Sequence, residues 1–267
     1  MGDIVRLARF RDRDRSFYAL IEEGGRARPL TADPFEGDPF AALAQAPAPA
    51  LPYGDWEWLP PCRPSKIIGV GRNYREHAAE LGHAVPAEPL IFLKPPSALL
   101  PPGGVIRLPE DSRRVDYEGE LGVVIGREAT NVPESRALDW VLGYACVNDV
   151  TARDLQKKDV QFTRAKGFDS FCPFGPAIAV GLRADALRVE TFVNGERRQS
   201  APVSGMIFGI AALVSFASRI MTLLPGDLIA TGTPEGVGPL EPGDEVTVSI
   251  DGIGRLTNRV EAARPGL

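Results

Sequence analysis

The chain alternates short apolar runs with Gly, Pro and Asp punctuation. "SKIIGVG", "PLIFLK", "LGVVIG", "WVLGYACVND", "GPAIAV", "DLIAT" and "DEVTVSI" each have the length and flanks of a β-strand. "RVETFVNGERRQ" predicts a hairpin, because Asn194-Gly195 suits the positive φ angles of a type I′ turn, and Asp251-Gly252 in "SIDGIGRLTNRV" is expected in the same role. Three helices are predicted. "YREHAAELG" is short and stops at Gly82. "TARDLQKKD" has Thr151 and Asp154 at capping-box spacing, so Thr151 is expected to cap it. "IAALVSFASRIMTLL" is the longest, with Met221 as a packing residue. Strands without regular βαβ alternation predict an α+β chain, mainly β, with a mixed or antiparallel core.

Residues 1–62 differ in texture. "DIVRLARF" and "SFYALIEE" are expected to pair across "RDRDR", and the Pro- and Ala-dense "QAPAPALPYGDWEWLPPCRP" reads as an extended connector. A small N-terminal domain over 1–62 and a main domain over 63–267 are therefore expected.

With 267 residues, 44% hydrophobic and 24% charged, the composition is that of a soluble globular protein, and a net charge of −5 argues against a nucleic-acid surface. No apolar run is long enough for a membrane span, and the N-terminus lacks a signal-peptide core, so a cytoplasmic location is expected. Cys62, Cys146 and Cys172 are too few and scattered for a disulfide framework and are expected as buried thiols. The two histidines, His77 and His83, cannot build a multi-histidine metal site, so any metal would be held mainly by oxygen.

Carboxylates supply candidates for that role. In "VDYEGELGVVIGR" the spacing of Glu118 and Glu120 puts both on one face of a strand, with Gly119 keeping the other face slim and Asp116 extending the charged face. Asp149 ends an apolar run, where a charge needs a partner or a cation. Three such oxygens would suit Mg²⁺ or Mn²⁺; an ordinary solvated strand face would also explain the glutamate pair. His77 and Glu80 lie three apart on one helical face, as a base with its carboxylate or as a surface pair. "TGTPEGVG" could wrap an anion or be a tight turn. Lys94 precedes Pro95-Pro96, where a cis bond is a possibility the sequence allows, and Lys166 lies in a loop. Arg153 and Gln156 share a helical face that could point toward Asp149.

In order, "GVGRNYREHAAELG", "PLIFLKPPSAL", "DYEGELGVVIGR", "VNDVTARDLQ", "AKGFDSFCPFGP", "GMIFGI" and "TGTPEGVG" resemble the fumarylacetoacetate hydrolase superfamily, in its acylpyruvase-like and 2-hydroxyhepta-2,4-diene-1,7-dioate isomerase-like branch. The resemblance covers about residues 66–240. It implies a mixed β-sandwich roll, a homodimer, and a divalent metal, Mg²⁺ or Mn²⁺ (Ca²⁺ in crystals), on Glu118, Glu120 and Asp149. It implies His77 and Glu80 as a water-activating dyad on a lid segment and Lys166 as a catalytic cation. Gln156 and Arg153 are expected to line the site, Thr233 to hold a substrate carboxylate, and Arg72 and Lys94 to lie near the substrate. The implied activity is hydrolytic C–C cleavage of an acylpyruvate, with isomerisation, tautomerisation or decarboxylation of a related 2-oxoacid as the alternative. A metal-stabilised binding protein without turnover is a remote third possibility.

Overall fold

A computed structural model describes residues 4–44, 48–80, 82 and 84–263; His83 lies outside them. Among the described residues, twelve strands form one mixed sheet, against which a five-stranded and a three-stranded sheet are set. The fold class is the one expected. At the centre of the large sheet, Gly119–Ile125 pairs antiparallel with Val141–Asn148 on one side and with Leu228–Ala230 on the other. These strands are buried on both faces, which explains their unbroken apolar runs.

Among the described residues there are five α-helices: α1 (Pro39–Ala44), α2 (Arg75–Glu80), α3 (Arg153–Lys158), α4 (Thr163–Gly167) and α5 (Ile210–Ile220). The longest, α5, buries Ile210, Leu213, Val214 and Ala217, the i, i+3, i+4, i+7 stripe of an amphipathic helix, and Met221 packs on the same core. The short α2 is followed by Gly82 at φ 70°, the left-handed stop expected. None of the described helices is long and apolar enough to cross a membrane.

The N-terminal hairpin forms as expected, Val5–Asp12 against Arg15–Glu22. Val5–Asp12 also pairs with Cys172–Val180, so the hairpin continues the large sheet. The Pro-rich stretch contributes two short strands, Leu51–Pro52 against Arg26–Pro29 and Glu57–Leu59 against Val5–Asp12. The reason is aromatic: Tyr53, Trp56 and Trp58 close around Phe10 with ring centroids 5.5, 5.4 and 4.7 Å away.

Several local expectations are corrected. Thr151 is no helix cap; it lies in the bridge Thr151–Ala152 and its hydroxyl donates to Asp149 O at 2.8 Å, while α3 begins at Arg153. Asn194-Gly195 has the positive φ pair of a type I′ turn (52° and 80°), but at the second hairpin only Gly252 does (80°), and the turn closes from Ile253 N–H to Ile250 O. The cis peptide bond recorded is Gly175–Pro176, not one beside Lys94. The three cysteines are buried free thiols, and burial pushes that of Cys172 up to about 12.

Candidate functional site

The stretch read as one strand from Val115 to Ile125 is two. Val115–Tyr117 belongs to the three-stranded sheet, Gly119–Ile125 to the large one, and the chain changes sheets at Glu118. Gly119 pairs with Asn148, which brings the end of Val141–Asn148 beside the junction. Asp149 N–H donates to Glu118 O (2.8 Å) and Glu118 N–H to Asn148 Oδ1 (2.9 Å). Glu118, Glu120 and Asp149 are thereby buried together, one oxygen from each lying within 4.8 Å of the others.

Positive charge surrounds them. Lys166 Nζ lies 2.8 Å from Glu118 Oε2 and 2.6 Å from Asp149 Oδ2. Lys94 Nζ takes the other Asp149 oxygen at 2.6 Å, and Arg153 bonds Glu118 Oε1 at 2.6 Å. Burial alone would push Glu118 up, but Lys166, Arg153 and His77 outweigh it and hold the carboxyl well below its usual range. For Lys166 burial works the other way, and the Asp149 and Glu118 carboxylates more than offset it, raising its pKa.

Glu120 differs. It has no ion-pair partner among the described residues, and its hydrogen bond comes from Gly232 N–H to Oε2 at 2.8 Å. Burial, then the charges of Asp149 and Glu118, push its pKa well above 4.5. Asp227, equally buried, accepts from the backbone N–H groups of Ser65, Lys66 and Leu224, the Ser65 hydroxyl and Lys66 Nζ. A charge at Glu120 lacks such a shell. An all-oxygen set of three carboxylates with one under-compensated member fits a hard divalent cation, and Glu118, Glu120 and Asp149 are the residues that could hold it.

One loop, residues 231–238, braces this centre. Beyond the bond from Gly232, the Thr233 hydroxyl donates to Gly119 O (2.9 Å), and Gly236 N–H donates to Glu80 at 3.1 Å. Gln199 reaches in from the five-stranded sheet. Its Nε2 donates to Thr233 Oγ1 and Pro234 O, both at 2.8 Å, and its Oε1 accepts from Gly119 N–H at 3.0 Å. In this arrangement the single Thr233 hydroxyl proton is committed to the protein.

Helix α2 places His77 Nδ1 3.2 Å from Glu80 Oε2. A carboxylate only accepts, so in neutral His77 the proton sits on Nδ1 and Nε2 carries the lone pair. Asn73, just before α2, is fully buried; its Nδ2 donates to Phe208 O (3.0 Å) and Thr231 O (2.8 Å), and its Oδ1 accepts from Phe208 N–H (2.8 Å). It ties the dyad helix to the loop that serves Glu120.

A cleft of about 530 Å³ joins these parts; Arg72, His77, Glu80, Glu118, Arg153, Gln156, Lys166 and Thr233 all line it. Of the residues singled out from the sequence, Glu120, Asp149 and Lys94 are not on its wall, Lys94 being buried behind Asp149. A larger, mainly apolar hollow of about 640 Å³ beside α5 contains none of them. The sequence reading missed Gln199, Asn73 and the two glycine N–H donors. Asp116, read as extending the charged face that a solvated strand would also explain, is buried and accepts from Arg114 Nε at 2.9 Å and Arg153 Nε at 3.0 Å.

This fold and constellation place the chain in a family of known enzymes. Residues 66–261 match the fumarylacetoacetate (FAA) hydrolase C-terminal family, and the chain belongs to it. It is 47% identical over 261 residues to Protein Rv2993c of Mycobacterium tuberculosis, covering 96% of this chain and 98% of that one. It is 43% identical over 215 residues to the mitochondrial oxaloacetate tautomerase FAHD1 of Rattus norvegicus (78% and 95% covered). Two solved structures are similar. The 5-carboxymethyl-2-hydroxymuconate delta-isomerase from Mycobacterium smegmatis has a TM-score of 0.87 at 42% identity, covering 97% of this chain and 100% of that one. The fumarylpyruvate hydrolase from Pseudomonas aeruginosa, in complex with Mn²⁺ and pyruvate, has a TM-score of 0.70 at 34% identity, covering 76% and 91%.

Proposed function

We propose that this protein is a divalent-metal-dependent enzyme that interconverts keto and enol forms, or shifts a double bond, of a short 2-oxoacid. The observation that carries the reading is one cleft lined by Glu118, a member of the three-carboxylate oxygen set, by the Lys166 and Arg153 cations and by the His77–Glu80 pair, whose histidine is buried. Mg²⁺ or Mn²⁺ on Glu118, Glu120 and Asp149 would supply Lewis-acid polarisation of the 2-oxo oxygen. The chain's own groups do the rest. His77 Nε2, its other nitrogen turned to Glu80, takes a proton from the carbon next to the 2-oxo group or returns it. Lys166 and Arg153 hold Glu118 and Asp149 in place and offer donors to the oxygen that gains charge. Relatives named as an isomerase and a tautomerase, at 42% and 43% identity, support this net reaction over the hydrolase at 34%.

Hydrolysis of an acylpyruvate is the second reading, favoured by the burial of His77 beside its carboxylate partner. There His77 Nε2 takes its proton from water, the hydroxide adds to the 4-carbonyl, and the C3–C4 bond breaks to leave pyruvate enolate and the second acid. One experiment separates the two. Fresh oxaloacetate enol and acetylpyruvate are given to the enzyme with Mn²⁺ and with a chelator, following enol absorbance and product acids. Metal-dependent decay of enol without new acids supports the isomerising reading; release of pyruvate with acetate supports hydrolysis. Flat traces for both substrates, or activity kept by the Glu118→Ala/Glu120→Ala variant, would overturn the assignment.

A further inference from the structure

Two arginines around the N-terminal hairpin meet carboxylates: Arg11 pairs with Glu57, and Arg28 with Glu22. Arg9 does not. Its side chain lies half-buried on Val5–Asp12, without an ion pair among the described residues, and its one side-chain hydrogen bond, to Ser16 Oγ, is long at 3.4 Å. Burial is the first cause that lowers its pKa, and the charge of Arg63 works in the same direction. A guanidinium carries five N–H donors, so most of those on Arg9 lack a protein acceptor in a place where water is partly excluded.

The second observation is a hollow of about 260 Å³ that Arg9 helps to line and that shares no residue with the catalytic cleft. Arg9 stands opposite Tyr18 in the hairpin, with its Cζ 5.9 Å from the ring centroid. Tyr18, on the same wall, is only 4% exposed, and its hydroxyl has no hydrogen-bond partner among the described residues. Arg15, Arg63 and Ser16 also line the hollow, with Asp33 and Glu36 as its acids. Asp33 is already engaged, its Oδ1 accepting from Phe35 N–H at 2.9 Å and its Oδ2 from Arg63 Nη2 at 3.2 Å, and Glu36 is exposed. Three guanidinium charges against two carboxylates leave the hollow with one positive charge in excess.

We propose that this hollow is a binding site for the phosphate group of a small molecule, held by Arg9 with Arg63 and the Tyr18 and Ser16 hydroxyls. A phosphate presents three terminal oxygens in different directions, whereas a carboxylate offers two in one plane. The donors here come from two paired strands and from the separate segment of Arg63, which suits the phosphate. The guanidinium fork of Arg9 matches two of its oxygens, and the hydroxyls add neutral donors. The volume leaves room for a short carbon chain beyond the phosphate and for little more.

The test is calorimetry at low salt on the full chain with chelator present, using inorganic phosphate and glycerol 3-phosphate as probes and acetate as the carboxylate control. At least one phosphate probe is expected to bind more tightly than acetate, and the tighter of the two tells whether free phosphate or a phosphate ester is the occupant. Arg9→Gln should weaken that binding by about tenfold or more, the scale of one charge-assisted contact, and Tyr18→Phe by about threefold to tenfold, that of a neutral hydrogen bond. Tyr18→Phe carries the test if Arg9→Gln fails to fold. Arg72→Gln, on the wall of the catalytic cleft, should leave the affinity unchanged. Binding of neither phosphate probe, acetate bound as tightly, affinity kept in Arg9→Gln and Tyr18→Phe, or affinity lost in Arg72→Gln instead would each overturn the proposal.

Discussion

Lys166 Nζ lies 2.6 Å from Asp149 Oδ2, and the same ammonium is 2.8 Å from Glu118 Oε2. One cation thus bridges two of the three carboxylates to which a divalent ion would bind. The lysine and the ion compete for the same oxygens while repelling each other. Lys166→Met is therefore expected to bind Mn²⁺ more tightly, by about tenfold or more, since one unit charge a few ångströms away is worth more than ~1.4 kcal/mol at the effective dielectric of a protein site. Turnover should fall by about 10²–10³ through loss of the donor. Manganese titration by calorimetry checks the first half and enol absorbance the second; weaker metal binding in the variant would refute the competition.

Glu120 gives the metal-free protein a distinctive pH dependence. Its pKa is raised on folding, so the protonated carboxyl is favoured in the native state. Its contribution to stability is fully present below the unfolded value near 4.5 and is lost as pH rises through the higher native value. Glu118 has the opposite sign but is common to wild type and variant. With chelator present, Glu120→Gln should melt above wild type at pH 8 and lose that advantage toward pH 4.5. Excess Mn²⁺ should reverse the order at pH 8, because wild type then gains binding energy that the amide cannot match. Parallel melting curves with and without metal would contradict this account of the site.

Gly119 separates the two glutamates because nothing larger fits. A Cβ there would lie 1.9 Å from Thr191 Oγ1 and 3.2 Å from Gln199 Oε1, in a fully buried place. Gly119→Ala is expected to cost about 1–3 kcal/mol by overpacking and to weaken metal binding by displacing Glu118 and Glu120. Thr191→Ala removes the hydroxyl, whose oxygen has no hydrogen-bond partner in the structure, so the double variant should recover part of the loss. Additive losses in denaturant titrations of the two single and the double variant would count against the clash.

Gln199 joins the strand that carries Glu120 to the 231–238 loop, with both of its amide donors and its carbonyl oxygen in hydrogen bonds. Gln199→Glu keeps an acceptor for Gly119 N–H but turns an anionic oxygen toward Thr233 Oγ1 and Pro234 O. Metal affinity is expected to drop by about 10–100-fold, the usual scale for groups that orient ligands. A variant with unchanged Mn²⁺ affinity and only a lower melting temperature would assign Gln199 to the fold alone.

What the sequence determined by itself was everything carried by local spacing. Short apolar runs flanked by Gly, Pro and Asp marked the central strands, a longer apolar segment marked α5, Asn194-Gly195 marked its hairpin, and the ordered motifs singled out Glu118, Glu120, Asp149, His77 and Glu80 as candidates. Tertiary structure decided how those acids meet. The break between sheets at Glu118 cannot be read locally, because the same residues would serve one continuous strand. Gln199 stands in the polar run "ERRQS" and acts across 80 positions on Gly119, while Thr233 acts across 114. A polar side chain looks alike in sequence whether it faces water or closes a distant backbone group. The burial of Asp116 was hidden for the same reason, since beside its sequence neighbour Arg114 it is met by Arg153 from 37 positions further along the chain. Local chemistry names the candidate carboxylates; long-range hydrogen bonds, invisible to spacing, set their distances and their charge.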